Sequence, residues 1–195
     1  MKYTEAITRA DLEAVWRLRY SEYIEHDGRE MVDADHEQRL FADSLDSKSH
    51  VLCAHDDGEL CGSVRVALTA ETDLGSYSRL YRLRELGPTW KSESSITSRL
   101  VVHNERRGSM LALALCREAC RFLTARGVRF NVIDAFPELR ELYLALGFRD
   151  LGLIEHPTNG RMHLMAFDRD DHAHHERVRS PLRRICLASR ALQSA

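Results

Sequence analysis

The sequence ITSRLVVHNERRGSMLALALCREACRFLTAR runs from Ile96 to Arg126 and carries the clearest structural signal in the chain. Its first seven residues, up to Val102, are rich in β-branched and aliphatic side chains, which favours a β-strand. Apolar residues recur at helical spacing from Leu111 onward, which predicts a helix with one buried face. A polar turn, Asn104 to Gly108, joins the two elements. The unpaired N–H groups and the dipole of a helix N-terminus favour an anion there, although an ordinary strand-to-helix crossover has the same pattern.

The composition and charge are typical of one soluble globular domain. The chain has 195 residues, of which 44% are hydrophobic and 30% are charged, and its formal net charge is −2. That length predicts a single domain over residues 1–195, and the charge gives no signal for nucleic acid or a membrane surface. The sequence has no apolar run long enough to span a bilayer and no signal-peptide core at its start. We therefore expect a cytoplasmic protein.

The N-terminal part predicts a helix with a charged residue near the core. Apolar residues follow Thr8 at helical spacing, and Gly28 is a plausible end of the segment. Arg19 and Tyr20 lie where this helix would meet the core. Arg19 either turns inward or extends over apolar neighbours at the surface.

An acidic segment comes next. It predicts a short helix around Glu37 to Phe41, followed by the pair Asp43-x-x-Asp46. Two carboxylates at this spacing can act as a base or hold a cation, and they can equally form a solvated turn.

A β-hairpin is predicted from Val51 to Leu68. Two apolar strands flank Asp56 to Glu59, which contains the Asp-Gly pair typical of tight hairpin turns. Alternation along the second strand places Arg65 on a face of small residues. An arginine in that position indicates a polar cavity or cleft, and a plain solvent face is the alternative.

The C-terminal half alternates strands with helices. Strands are predicted at residues 128–134, 149–155 and 162–168, and a helix at Pro137 to Leu146 is capped by Gly147. Antiparallel strands first and alternating elements later indicate an α/β (α+β) fold with a mixed sheet.

The tail, residues 171–195, predicts a C-terminal extension with a basic amphipathic helix. Ser180-Pro181 would begin this helix, with Leu182, Ile185, Ser189 and Leu192 on one side and arginines such as Arg190 elsewhere.

Two patterns bear on metal binding. The tail contains His172, His174 and His175, which suits a metal, but no matching ligand cluster has firm spacing, so we predict a solvated polar turn. The five cysteines form no CxxC pair, which favours reduced, mostly buried thiols. We therefore predict no metal.

A strand, a basic turn and a helix are followed in this chain by the segment LYLALGF, from Leu142 to Phe148. This order of elements and motifs resembles the GCN5-related N-acetyltransferase (GNAT) superfamily. The resemblance implies a central, mostly antiparallel twisted sheet with a splayed strand pair, flanked by helices. It also implies that the turn holds the pyrophosphate of coenzyme A or the phosphopantetheine arm. Tyr143, four residues before Gly147, would protonate the leaving thiolate, and a half-buried core tyrosine is the alternative.

Four motifs in the same order resemble one branch, which contains the acyl-homoserine-lactone synthases and the N-acyl amino acid synthases. They are RLRYSEYIEHDGRE from Arg17, Asp43-x-x-Asp46, Gly62-x-x-Arg65 and Ser98-Arg99. Enzymes of this branch move acyl chains from acyl carrier protein, sometimes from CoA, onto an amine. The resemblance covers about residues 12 to 170.

The resemblance implies a role for each matching residue. The catalytic residues would be Tyr143, Arg99 and Asp46. The acyl thioester would be bound by Leu100, Val101, Val102, Arg106, Arg107, Gly108, Ser109 and Met110, with backbone N–H groups of the strand as oxyanion donors. The acceptor would be bound by Arg19, Tyr20, Asp43 and Arg65.

Two departures from the family pattern affect the reaction. The turn has one glycine, Gly108, where the superfamily usually has a second small residue, and this favours an acyl thioester in general over acetyl-CoA in particular. Ile96 stands where the branch often has a glutamate, so the base for the acceptor amine stays open.

The expected function is transfer of a medium- or long-chain acyl group from an acyl-CoA or acyl carrier protein thioester to an amine. An acyl carrier protein is a possible partner, and the acceptor is an amine-bearing small molecule or peptide. Two alternatives stay open: an acetyl-CoA-dependent N-acetyltransferase, and a non-catalytic module that binds acyl thioesters or their carrier.

Overall fold

The computed structural model describes the backbone of residues 1–193 and the side chains of residues 1–188. The strands are β1 (Lys2–Glu5), β2 (Ala34–Asp35), β3 (Leu40–Phe41), β4 (His50–Asp56), β5 (Glu59–Leu68), β6 (Ser94–Val102), β7 (Phe130–Ala135), β8 (Arg149–His156) and β9 (Gly160–Asp168). The α-helices are α1 (Arg9–Arg19), α2 (Ser76–Leu80), α3 (Trp90–Glu93), α4 (Leu111–Ala125), α5 (Arg140–Leu146), α6 (His172–Arg177) and α7 (Arg183–Gln193).

Seven strands form one mostly antiparallel sheet in the order β1-β4-β5-β6-β7-β9-β8. The neighbours β6 and β7 are parallel, whereas β1/β4, β4/β5, β7/β9 and β8/β9 are antiparallel. The predicted fold class, a mixed, mostly antiparallel α/β sheet with flanking helices, is confirmed.

The chain forms two compact units. The first contains residues 1–67 and 98–119, and the second contains residues 68–97 and the chain from Cys120 onward. The single domain over residues 1–195 stays a prediction, and each unit is described by itself below.

In the first unit, α1 lies against the hairpin of β4 and β5. The helix begins with a capping box, in which Thr8 and Asp11 satisfy each other's backbone N–H groups. Its apolar face contributes Val15 and Trp16 to a core cluster with Leu40, Val51 and Cys53. The helix continues as a π-helical segment, Tyr20–His26, so that Arg19 lies where the two helical forms meet.

The helix predicted around Glu37 to Phe41 is wrong. Residues Leu40–Phe41 form β3, which pairs antiparallel with β2 at Ala34↔Phe41 and Asp35↔Leu40. The N–H of Gln38 donates to the Asp35 carboxylate at 2.8 Å, and Arg39 has φ 55°, so this segment closes as a turn. A pairing partner several residues away thus overrides the local helical pattern.

In the second unit, the first part of β6 pairs in parallel with β7. The paired positions run from Ser94↔Phe130 to Ile96↔Val132, whereas β6 itself continues to Val102. β7 and β8 both pair with β9. The predicted helix at Pro137 to Leu146 is a 3-10 turn followed by α5, which ends at Leu146 and is capped by Gly147. The splaying of β6 from β7 stays a prediction.

The solvated turn predicted at His172, His174 and His175 is wrong. These residues lie in α6, and His174 and His175 are buried. The His175 ring stacks on Phe167 at 4.4 Å, and its Nε2 donates to the Asp168 carbonyl at 2.8 Å. Gly147 has φ +104°, and a Cβ there would lie 2.7 Å from His175 Nδ1, so the helix end and the imidazole fit together.

The tail helix α7 begins at Arg183, two residues later than predicted. Ser180 Oγ accepts from the N–H of Leu182 at 3.1 Å, and Leu182 and Cys186 are buried. The side chains of Ser189, Arg190 and Leu192, which the prediction included, lie outside the described residues. None of the helices in the described part of the chain is long and apolar enough to cross a membrane.

Candidate active site

A buried cluster of charges in the first unit gathers four of the predicted residues. Asp43 lies in the loop after β3 and accepts from Arg65 Nη1 and from Arg99 Nη2, the latter at 2.8 Å. Arg65 also lies 3.3 Å from Asp46 and donates to Ser98 Oγ at 3.1 Å. Residues 43 and 99 therefore lie in contact although they are far apart in the sequence.

Arg19 completes this cluster from the end of α1. Its Nη1 donates to Asp46 Oδ1 at 2.7 Å, and the side chain is fully buried. Its Nε and Nη2 have no hydrogen-bond partner among the described residues. Of the two alternatives for Arg19, the inward orientation is the one that the structure has.

The two aspartates are held in place by their own loop. The N–H of Asp43 donates to Asp46 Oδ2 at 2.9 Å, and the N–H of Leu45 donates to Asp43 Oδ1 at 2.9 Å. A 3-10 turn, Asp46–Lys48, follows. The pair is thus a rigid acceptor for arginines, and it is buried instead of solvated.

The charges in the cluster do not balance. Arg19, Arg65 and Arg99 are three cations, and Asp43 and Asp46 are two anions. Burial alone would raise the pKa of Asp43, but Arg65 and Arg99 outweigh it and hold that pKa far below its usual range. Asp43 is therefore an anion at neutral pH and a weak base. The cluster carries one positive charge in excess.

The excess charge comes nearest to solvent at Arg99. The exposed fraction of the Arg99 side chain is 12%, against 3% for Arg65 and 0% for Arg19. The Arg99 guanidinium also lies over the Phe41 ring at 4.5 Å. An anionic group that enters from solvent would meet Arg99 first.

Arg99 interrupts the regular geometry of β6. Its φ is 55°, which is uncommon for a residue other than glycine and redirects the peptide groups that follow it. The next carbonyl, of Leu100, accepts from the Tyr23 hydroxyl at 2.9 Å. The strand β5 approaches β6 closely at Gly62. A Cβ at Gly62 would lie 2.8 Å from the Val101 carbonyl oxygen, so only glycine fits there. This part of β6, Leu100 to Val102, is the predicted oxyanion site.

The basic turn lies at the start of α4. Ser109 Oγ accepts from the N–H of Leu111 at 3.2 Å, and Met110 is exposed. Arg107 donates to Asp27 at 2.6 Å and to Glu22 at 2.9 Å, and Arg106 lies 2.8 Å from Asp56. Both arginines of the turn thus already have carboxylate partners.

Tyr20 and Tyr143 are the two tyrosines of the predicted site, one in each unit. The Tyr20 hydroxyl is 2.9 Å from His36 Nδ1, and its ring packs with Met31 and Phe41. Tyr143 belongs to the second unit, in the middle of α5, where its mostly buried ring meets Phe148 edge-on at 5.4 Å. The roles of both tyrosines stay predictions.

Three acidic partners of the basic turn were not predicted from the sequence. They are Glu22, Asp27 and Asp56. Glu22 follows Arg19 by three residues, so its place on the same helical face was a usable signal. Asp56 was assigned only to the hairpin turn. Among the described residues, no group of three or more His, Cys, Asp or Glu side chains is arranged to hold a metal ion.

Several solved structures share this fold. The CoA-dependent acyl-homoserine lactone synthase BjaI, solved with SAM and isopentyl-CoA, is 21% identical with a TM-score of 0.67, over 92% of this chain and 89% of that chain. The AHL synthase LasI is 14% identical with a TM-score of 0.67, over 86% and 89%. Escherichia coli ElaA is 16% identical with a TM-score of 0.61, over 86% and 99%. A comparison with curated protein sequences found no match.

One family model matches most of the sequence. It is described as N-acyl amino acid synthase FeeM, and the match covers residues 14–168, which include the charge cluster, the basic turn and Tyr143. This confirms the predicted branch of the superfamily. The chain belongs to the N-acyl amino acid synthase FeeM family and is an N-acyltransferase.

Proposed function

We propose that the protein transfers an acyl group from a phosphopantetheine thioester to the amine of an acceptor that carries a carboxylate. An amino acid is the simplest acceptor of this class. The thioester belongs to an acyl carrier protein or to CoA, and the acyl chain is of medium or long length, as the family resemblance implies. The proposed location of the reaction is the cytoplasm.

The observation that carries this proposal is the uncompensated positive charge of the cluster. Buried charges are costly unless they are paired, and the three arginines have only two aspartates. An acceptor carboxylate at Arg99 would supply the missing negative charge. It would also hold the amine of the same molecule close to β6.

The proposed reaction is a direct transfer. The neutral acceptor amine attacks the thioester carbonyl, the new C–N bond forms, and the C–S bond breaks. Backbone N–H groups at Leu100 to Val102 stabilise the oxyanion. Tyr143 gives a proton to the leaving thiolate and regains one from solvent, and the ammonium proton passes to solvent. Arg99 and Asp46 orient the acceptor, and the turn from Arg106 to Met110 meets the donor phosphate.

A comparison of matched acceptors tests this proposal. Purified protein is supplied with an acyl thioester and either an amino acid or the amine that remains when its carboxylate is removed, such as leucine and isoamylamine. Mass spectrometry then measures the acylated product. We expect kcat/KM for the amino acid to exceed that for the amine by about 100-fold, because only the amino acid has a carboxylate that makes charge-assisted hydrogen bonds with Arg99. Equal values would contradict the carboxylate role.

The donor is tested with the best acceptor. Acetyl, octanoyl and palmitoyl groups are each presented on CoA and on acyl carrier protein. Transfer of a longer chain with little transfer of acetyl supports the proposal. Transfer of acetyl alone would overturn the proposed acyl length.

A further inference from the structure

The two arginines of the basic turn have different surroundings. Arg106 lies 2.8 Å from one carboxylate, that of Asp56, and about half of its side chain is exposed. Arg107 donates from Nη1 to Asp27 and from Nη2 to Glu22, so two of its nitrogens hold two separate carboxylates. The two adjacent residues are therefore unequal candidates for contact with a phosphate.

Glu22 makes the Arg107 contact costly to break. Its side chain is completely buried, and Oε1 has no hydrogen-bond partner among the described residues. Oε2 accepts from Arg107 at 2.9 Å. If Arg107 moved to a phosphate, Glu22 would lose the cation that compensates its buried charge. Loss of one partner of a buried ion pair strongly destabilises a protein.

The same helical segment contacts the strand and the turn at two further points. The Tyr23 hydroxyl donates to the Leu100 carbonyl, and the Asn104 side-chain amide lies 3.4 Å from His26 Nδ1. The segment Tyr20–His26 is π-helical, with the N–H of Asp27 bonded to the carbonyl of Glu22 at 3.0 Å. Such helices are rare and occur often at functional sites. Within the described part of the chain, Arg107 thus makes one of three such contacts that join this segment to β6 and the turn after it.

We infer that Arg107 is a positioning residue, which fixes the turn to the helical segment Tyr20–His26, and that Arg106 contacts the donor phosphate. The charge of Arg107 is already matched by two carboxylates. The exposed pair of Arg106 with Asp56 is cheap to exchange for a phosphate, because surface ion pairs contribute little stability. The inference rests on the proposed function, since it requires a donor phosphate at this turn.

The inference is tested with three variants and two donors. The variants are Arg106→Met, Arg107→Met and the double variant Glu22→Met/Arg107→Met. The donors are the acyl-CoA that the wild-type protein uses and the corresponding acyl-pantetheine, which has no phosphate. Donor KM, kcat and the thermal unfolding midpoint are measured for each combination.

Arg106→Met is expected to raise the KM for acyl-CoA about tenfold and to leave the KM for acyl-pantetheine unchanged. Its unfolding midpoint stays close to that of the wild-type protein. An unchanged KM for acyl-CoA would overturn the role of Arg106.

Arg107→Met is expected to lower the unfolding midpoint by about 10 °C and to lower kcat equally for both donors. In the double variant the buried carboxylate is gone as well, so the midpoint and kcat recover. A raised KM for acyl-CoA that persists in the double variant would show that Arg107 binds phosphate, which would overturn the inference.

The unfolding midpoints keep this test separate from the proposed function. They require no donor, so recovery of stability in the double variant supports the Glu22–Arg107 tie even if no acyl transfer is found. Failure of stability to recover would contradict the tie while leaving acyl transfer untouched.

Discussion

Arginine side chains have opposite charge balances in the charge cluster and in the basic turn. In the cluster, three arginines share two buried aspartates, so positive charge remains. At the turn, Arg107 has two carboxylates for one guanidinium, so its charge is already matched. The number of arginines in a motif therefore says little about anion binding. The balance of their partners in three dimensions decides it.

The largest expected effect comes from the centre of the cluster. Arg65→Met would leave Asp43 and Asp46 buried with fewer cations, and we expect the free energy of unfolding to fall by about 3–5 kcal/mol. Urea denaturation measures this change. Arg84→Met, which removes an exposed arginine, is the control and should be nearly neutral. A loss similar to that of the control would mean that the cluster contributes no net stability.

Arg99→Met tests the solvent-facing end of the cluster. We expect kcat/KM for an amino acid acceptor to fall about 100-fold, because a charged hydrogen-bond partner of the carboxylate is lost. The value for the decarboxylated amine should barely change. Arg99→Lys keeps the charge but not the planar fork, so it should restore only part of the activity. An equal loss for acid and amine would make Arg99 a structural residue only.

Acid unfolding distinguishes the stability contributed by the buried carboxylate of Asp43 from that contributed by the buried imidazole of His175. The folded state depresses the pKa of Asp43, so the stability from that group is present above its unfolded value of 3.8 and is lost as the pH falls below it. Burial also depresses the pKa of His175, so only the unfolded state gains a proton just below pH 6.5.

The first loss of stability should therefore begin near pH 6.5 and belong to the imidazoles of His174 and His175, because burial depresses the pKa of both. Each imidazole contributes a slope of at most about 1.4 kcal/mol per pH unit. Denaturation of His175→Gln between pH 7.5 and pH 5 should give a flatter profile than the wild-type protein. Equal slopes for wild type and His175→Gln would rule out this assignment.

The smallest effect is expected at the surface pair of the turn. Asp56→Ala would free Arg106, and we expect the donor KM to fall about twofold with a change in stability below about 1 kcal/mol. Asp57→Asn, in the same hairpin turn, is the control for donor KM, because asparagine tolerates the φ of 49° at this position. A rise in donor KM on removal of Asp56 would mean that this aspartate holds Arg106 in its binding position.

Local patterns predicted the elements well where neighbours in sequence determine them. The α4 helix starts at Leu111 as its apolar spacing indicates, and the Asp57-Gly58 turn joins β4 to β5. The fold class followed from the order of such elements. The helix at Glu37 to Phe41 failed because the pairing of β2 with β3 overrides local propensity.

The candidate site was less accessible to sequence reasoning. Arg99 and Asp43 are 56 residues apart, and only the order of family motifs suggested that they belong together. The pairing of Arg107 with Glu22, 85 residues away, could not be predicted, because spacing places Glu22 on the helical face of Arg19 without indicating its partner. The burial of His175 likewise depends on Phe167 and Gly147, which its own segment does not reveal.

The most direct test of the central claim is equilibrium binding of an acceptor without a donor. Calorimetry would compare leucine and isoamylamine on the wild-type protein and on Arg99→Met. The uncompensated positive charge predicts that leucine binds the wild-type protein at least about tenfold more tightly than isoamylamine does, and that Arg99→Met loses this difference. Equal affinity of the wild-type protein for both molecules would contradict a carboxylate site in the cluster.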